Sequence, residues 1–418
     1  MLIYLAIGVA VWVLGVALSQ GFFAFVYSML FFRPSSSSLG IFQPKAAVIL
    51  ALRGSDPYLV ANMSSVLDQD YPEFTLFIIV DSHHDAAWPE VRKVQALAPH
   101  RVVTMVLQKP LASCSLKCSS LAEVIESLDA SYQVVAFLDA DAAPHRTWLR
   151  ELVAPLADPS IGVTTGNRWY LPHSASWGTM VRYFWNAGAV VQVWLNDIVW
   201  GGSMALRRET MDRVELVSSL RSSFVDDGAV VRQVRSAGLK TRFVPTVILP
   251  NREDITIPNF IAWSERQLVA ARSSGSGWPI VLLHAFSISC CVFLPLVVLV
   301  LGAMSADRQV LLLGLISFLI YWSSAILSTL VIESGIQFVL NRARVSAKWM
   351  GLRAAAKYVP SIVLSHLVYF RALAGASLKK QVSWRGIDYQ FLGINEVRMI
   401  RYCPYLSGDS QDGGESII

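Results

Sequence analysis

Asp139-Ala140-Asp141 closes the apolar run Val134–Leu138. Two carboxylates at i and i+2, where a strand would end, can present oxygens to one divalent cation. Mg²⁺ and Mn²⁺ favour carboxylates combined with substrate phosphates, and a metal bridging a diphosphate would neutralise charge on a leaving group. Asp226-Asp227, within Ser223-Phe224-Val225-Asp226-Asp227-Gly228, precedes an amphipathic stretch. Such a pair either gives a helix an acidic first turn or supplies a general base to an acceptor hydroxyl, and one position can do both. Arg266, in Trp263-Ser264-Glu265-Arg266-Gln267 with Arg272 behind it, can clamp a diphosphate or be an ordinary cation beside a membrane. Lys117 and the turn Gly201-Gly202-Ser203-Met204 complete the set. Glycines permit a backbone to approach a ligand closely, and they serve any tight turn equally well. Each feature has a structural explanation when taken singly; the information lies in their order and setting.

That setting is an α/β pattern. Strands are expected at Ala46–Leu52, Thr75–Val80, 101–107 and Val134–Leu138, with helices near Tyr58–Leu67 and Leu116–Leu128 between them. Strands alternating with helices predict a mostly parallel sheet. In such sheets ligands bind beyond the carboxyl ends of the strands. Two of these strands deliver an aspartate there, Asp81 and Asp139.

The chain has 418 residues, 54% of them hydrophobic and 16% charged. Soluble domains carry about 25% charged residues. The deficit is clustered. Leu2 to Phe32 holds no charge and exceeds the roughly 20 residues that a span needs. No Lys or Arg precedes Arg33, so this run reads as an uncleaved anchor and not as a signal peptide. Ile280–Met304 and Val310–Ile332 are two further spans. Val359–Phe370, which contains His366, is short: it crosses with its neighbours or lies in the interface. The cations Arg342, Arg344, Lys348, Arg353 and Lys357 place the loop after the third span in the cytoplasm, and the middle region with it. If Val359–Phe370 is interfacial, the basic tail also stays on that side. The expected organisation is an anchor at 1–32, a cytosolic catalytic domain at 33–279, membrane or interfacial helices at 280–373, and a tail at 374–418 on the cytosolic side or in the interface. The five cysteines form neither a zinc pattern nor a disulfide framework. The net charge of +5 is modest, and no nucleic-acid partner is expected.

The order of these segments resembles family 2 inverting glycosyltransferases of the GT-A fold, most closely the ceramide glucosyltransferase branch. Leu52-Arg53-Gly54-Ser55-Asp56-Pro57 is similar to that branch's opening nucleotide-binding stretch, and Asp68-Gln69-Asp70-Tyr71-Pro72 to the segment that follows it. Asp81 to Asp85 falls at the first acidic motif, Phe137-Leu138-Asp139-Ala140-Asp141 at the metal motif, and Val225-Asp226-Asp227 at the acidic pair. Ser383-Trp384-Arg385-Gly386-Ile387-Asp388-Tyr389 resembles a C-terminal segment of the same branch. The family's signature (Gln/Arg)-x-x-Arg-Trp is here Trp263-x-x-Arg266-Gln267. The arginine stands and the tryptophan does not, which argues against a polymer synthase.

The resemblance implies a UDP-sugar donor, with UDP-glucose the first expectation, and Mg²⁺ or Mn²⁺ as cofactor. It implies Asp227 as base and Arg266 on the departing UDP. Arg53, Asp81, Asp85, Lys117 and Asp139 would contact the donor, and Asp139 with Asp141 would hold the metal. Trp169, Gly202, Ser203, Asp226 and Trp263 would line the acceptor side. The acceptor would be a membrane lipid with a hydroxyl, and the bilayer itself a partner. A two-chain lipid stays in the bilayer because each buried CH₂ contributes about 0.8 kcal/mol, so the catalytic domain must come to the membrane. The rivals are a processive polysaccharide synthase, a polyprenyl-phosphate glycosyltransferase needing no base, and a non-enzymatic scaffold or transporter. A transporter would place ionisable residues inside its spans. Here the acidic residues gather in the soluble region.

Overall fold

The computed structural model describes residues 1–32, 42–171, 174–275, 277–346 and 356–405. Lys348 and Arg353 of the basic loop lie outside the described residues. From the N-terminus, helix α1 (Leu2–Phe31) leads to strand β1 (Ala46–Leu52), α2 (Leu59–Leu67), β2 (Phe74–Val80), α3 (Trp88–Leu97), β3 (Val102–Val106), α4 (Leu116–Ser127) and β4 (Val134–Leu138). Then come α5 (Trp148–Val153), β5 (Ile161–Tyr170), α6 (Trp177–Leu195), β6 (Ser203–Arg207), α7 (Arg208–Arg213), α8 (Leu216–Leu220) and α9 (Asp226–Ser236). The chain continues through β7 (Lys240–Asn251), α10 (Ile257–Ser273), α11 (Trp278–Met304), α12 (Arg308–Arg342), α13 (Tyr358–Leu378), β8 (Gln381–Trp384), β9 (Ile387–Gly393) and β10 (Glu396–Arg401).

β1 and β4 are unbroken apolar runs, and β2 is broken only by Thr75, because helices cover both faces of their sheet. The strand order is β3-β2-β1-β4-β6-β5-β7. β6 alone runs against its neighbours, β4 and β5. Ser115 opens α4 by accepting the Cys118 amide hydrogen bond (3.2 Å), which satisfies one of the first-turn donors. α4 thereby starts at the carboxyl edge of the sheet and presents Lys117 there.

Four helices, α1, α11, α12 and α13, are long and apolar enough to cross a membrane. α13 outruns the short apolar segment legible in the sequence. Just ahead of it, Lys357 donates to the Ala175 carbonyl (2.6 Å) before α6. At its other end Arg371 (2.8 Å) and Lys379 pair with Glu265 of α10. Gly375 leaves room for that carboxylate, since a Cβ there would collide with it. α13 thus starts and finishes against the α/β domain. The tail beyond it folds as an antiparallel sheet, β10-β9-β8, and docks on the same domain: the Leu116 amide donates to the Tyr389 hydroxyl (3.1 Å).

The joint between membrane helices and sheet is polar. Glu333 of α12 is buried and accepts from Trp169 Nε1 (2.9 Å), Tyr183 OH (2.7 Å) and Gln337 Nε2 (2.6 Å). A buried carboxylate is tolerated when several donors satisfy it. Glu333→Ala orphans the buried indole and phenol and is expected to destabilise by about 3 kcal/mol. Thermal unfolding in detergent will show a clear drop for this variant and a smaller one for Glu333→Gln, which keeps an acceptor.

Candidate active site

A cleft of about 160 Å³ opens at the carboxyl edge of the central strands. Arg53, Lys117, Asp139, Asp141, Asp226, Asp227, Trp263 and Arg266 line it together. Asp139 and Asp141 follow β4, Asp226 and Asp227 open α9, and Arg266 comes from α10.

Lys117 organises the acids. Its ammonium contacts Asp139 Oδ1 at 2.7 Å and Asp226 Oδ1 at 3.2 Å. Burial alone would lower the lysine pKa, but these two carboxylates more than offset it and raise it. Burial likewise opposes ionisation of Asp139, and Lys117 reverses that, leaving the carboxyl below its usual range. Asp141 forms no such ion pair among the described residues. It accepts from Asn251 Nδ2 (2.9 Å), while burial and the charge of Asp139 push its pKa up.

Asp227 is clamped by backbone. Its Oδ1 accepts from the Gly228 amide (2.6 Å) and its Oδ2 from the Gly201 amide (3.4 Å). Burial, then the neighbouring Asp226, raise its pKa to about 7, with Lys117 opposing. A carboxylate poised there is suited to taking a proton near neutral pH.

The glycine pair is steric in its role. A Cβ on Gly201 would stand 2.6 Å from Asp226 Oδ2, and one on Gly202 would stand 2.5 Å from Asp139 Oδ2 and closer still to the Trp200 ring. Gly202 therefore shapes the site from behind; its carbonyl accepts from the Asp139 amide (3.3 Å).

Asp81, Asp85, Trp169 and Ser203 lie outside the cleft. Asp81 is buried and held by Arg53, by Tyr402 OH (2.7 Å) and by the Tyr405 amide (2.9 Å). Asp85 accepts from the Gly54 amide (3.0 Å) and the Ala87 amide (2.8 Å), bracing the turn where Gly54 takes a left-handed φ of 76°. Ser203 is fully buried and accepts from Trp148 Nε1 (2.8 Å). Trp169 serves the Glu333 joint.

With this geometry in hand, comparison with known proteins is informative. The model of glycosyl transferase family 21 matches residues 12–393. The chain belongs to glycosyl transferase family 21. It is a glycosyltransferase, and its mostly parallel sheet with flanking helices is the GT-A arrangement. No curated protein matches it. Among solved structures, it is similar to a mannosyltransferase from Pyrobaculum calidifontis in complex with GDP-Man and Mn²⁺, at 14% identity, covering 90% of this chain and 99% of that one, with a TM-score of 0.47. It is also similar to a glucosyl-3-phosphoglycerate synthase from Mycobacterium tuberculosis in complex with Mn²⁺, UDP and glucosyl-3-phosphoglycerate. That match has 17% identity, covers 58% of this chain and 85% of that one, and has a TM-score of 0.39.

Three features of the cleft had no role assigned from the sequence. Arg168 of β5 lines the cleft with its guanidinium over the rings of Trp263 (5.0 Å), Tyr170 (5.4 Å) and Trp200 (5.7 Å). An arginine at the end of a buried strand, beside aromatics, was the available signal. Arg385, in the segment whose sequence resembles the family's C-terminal stretch, lines the cleft and pairs with the buried Asp56 (3.2 Å). Trp384 covers Arg266 at 4.9 Å, so an aromatic ring reaches that arginine from the tail although Gln267 follows it in sequence. Burial, then Arg385 and Arg168, lower the Arg266 pKa to about 10.

Gly202→Ala is expected to keep the protein folded and to lower donor-nucleotide affinity at least tenfold, because Asp139 is pushed off Lys117. Titration with UDP in the presence of Mn²⁺ measures this, and Gly188→Ala, with nothing within 4 Å of its new Cβ, is the control.

Proposed function

We propose that this chain transfers a hexose, glucose from UDP-glucose in the first instance, to the hydroxyl of a membrane lipid such as ceramide or a diacylglycerol, with inversion at the anomeric carbon. The observation that carries this reading is the convergence of Asp227, Asp139 with Asp141, and Arg266 on one cleft, in a chain with four membrane-length helices.

The donor set suits Mg²⁺ or Mn²⁺. Asp139 and Asp141 both line the cleft and would supply its oxygen ligands, and the burial and Asp139 charge that raise the Asp141 pKa are what a cation would offset. Such a cation would supply neutralisation of the departing diphosphate. Arg266, held over Trp384, stabilises the same charge from the protein side. Asp227 takes the proton of the acceptor hydroxyl. The acceptor oxygen forms its bond to the anomeric carbon as the bond to UDP breaks, and UDP leaves with the electron pair from the opposite face.

The domain at 33–279 is read as cytosolic, on the positive-inside rule applied to Arg342 and Arg344. Because α13 starts and ends against that domain, the tail shares its side. α13 then lies along the interface or dips into it, while α1, α11 and α12 cross.

Transfer from radiolabelled UDP-sugars to a panel of lipids tests the proposal. Purified protein should label one lipid class. Asp227→Asn should lower kcat by about 10²–10⁴, and Asp141→Ala should abolish transfer. Label in a long polymer, or undiminished transfer by Asp227→Asn, overturns it. The rate should also depend on pH in a stated direction. Asp227 is protonated below its pKa of about 7, so kcat/KM should fall as pH drops through 7 and level off above it. A profile flat from pH 6 to 8 removes Asp227 as the base.

A further inference from the structure

The cations of the cleft differ in what they already face. Arg53 faces Asp81, Lys117 faces Asp139 and Asp226, and Arg385 faces Asp56. Arg168 forms no ion pair among the described residues. Its neighbours are the ring faces of Trp263, Tyr170 and Trp200. Ring faces engage the flat side of a guanidinium. They leave its N–H donors, which point outward in the plane, to in-plane acceptors. They also fix a long side chain whose freedom would otherwise be lost on binding. Arg168 is half-buried and lines the same cleft as Asp139 and Asp141. A preoriented planar cation of this kind matches a ligand with several anionic oxygens, which is the chemistry of a phosphate.

We propose that Arg168 is a further catalytic residue, which binds the diphosphate of the nucleotide donor through its outward N–H edge. This rests on the nucleotide-sugar reading of the cleft. The aromatic cage does the holding: Trp263 comes from α10, Tyr170 from β5, and Trp200 from the turn before β6. Arg168 and Arg266 then approach the diphosphate from two separate elements. Trp263, which the sequence assigned to the acceptor side, becomes a support for a donor ligand.

The test compares UDP with uridine by titration calorimetry on detergent-purified full chain with Mn²⁺, for wild type, Arg168→Gln and Arg168→Lys. Loss of a charge-assisted contact should weaken UDP binding of Arg168→Gln about 10- to 100-fold and leave uridine binding unchanged. Arg168→Lys, which keeps the charge and loses the planar fork, should fall between. Equal UDP affinity in wild type and Arg168→Gln overturns the inference. So does an equal loss for UDP and uridine, which would make Arg168 a support of the pocket wall. Wild type that binds no UDP is a different failure, that of the nucleotide-sugar reading itself.

Discussion

The contact on which the site depends is that of the Lys117 ammonium with Asp139 and Asp226. Four carboxylates meet at one sheet edge, and like charges at such range push one another toward protonation. A single cation between two of them contacts one member of each Asp pair and keeps Asp139 ionised. What remains is an asymmetry: Asp139 is held charged, while Asp141 and Asp227 are raised. One lysine, placed by the N-cap of α4, thereby divides the acids into a fixed anion and two responsive ones.

The second constraint is mechanical. The cleft is built from stretches far apart in the chain: the ends of β1, β4 and β5, the starts of α4 and α9, the turn before β6, α10 and the tail. α10 is tied to α13 through Glu265, and the sheet is tied to α12 through Glu333. Both ties are carboxylates serving several donors. The cleft-bearing edge is thus referenced to the long apolar helices through directional bonds and not through apolar packing alone, which would tolerate sliding.

Much of this was legible beforehand, for physical reasons. β1, β2 and β4 announce themselves because strands buried on both faces read as near-continuous apolar runs. Asp139, Asp141, Asp226 and Asp227 were legible because their spacing within one turn brings them together locally. What escaped was contact over long separations. Nothing near Arg385 in sequence reveals that Asp56 awaits it, nor that Trp384 would cover Arg266. The partners of Asp81 and Asp85 escaped for the same reason. The place of these two acids at a strand end suits a ligand, yet Tyr402, Tyr405 and the Gly54 turn use their oxygens. Ser203 and Trp169 likewise have donors and acceptors whose partners, Trp148 and Glu333, no local pattern discloses.

The docked tail has a consequence for how the molecule comes into being. The Arg53 guanidinium binds the Arg385 carbonyl across 332 positions of sequence (2.7 Å), and Trp384, Arg385, Ile387 and Tyr389 wall the cleft. During synthesis the sheet and its acids emerge first, followed by the long apolar helices, and the wall contributed by the tail comes after them. A ribosome still translating the helices therefore carries a sheet edge without a finished cleft. Contacts of such separation also close slowly. The cleft is thus complete only after the long apolar helices, which precede the tail in the chain, have been made.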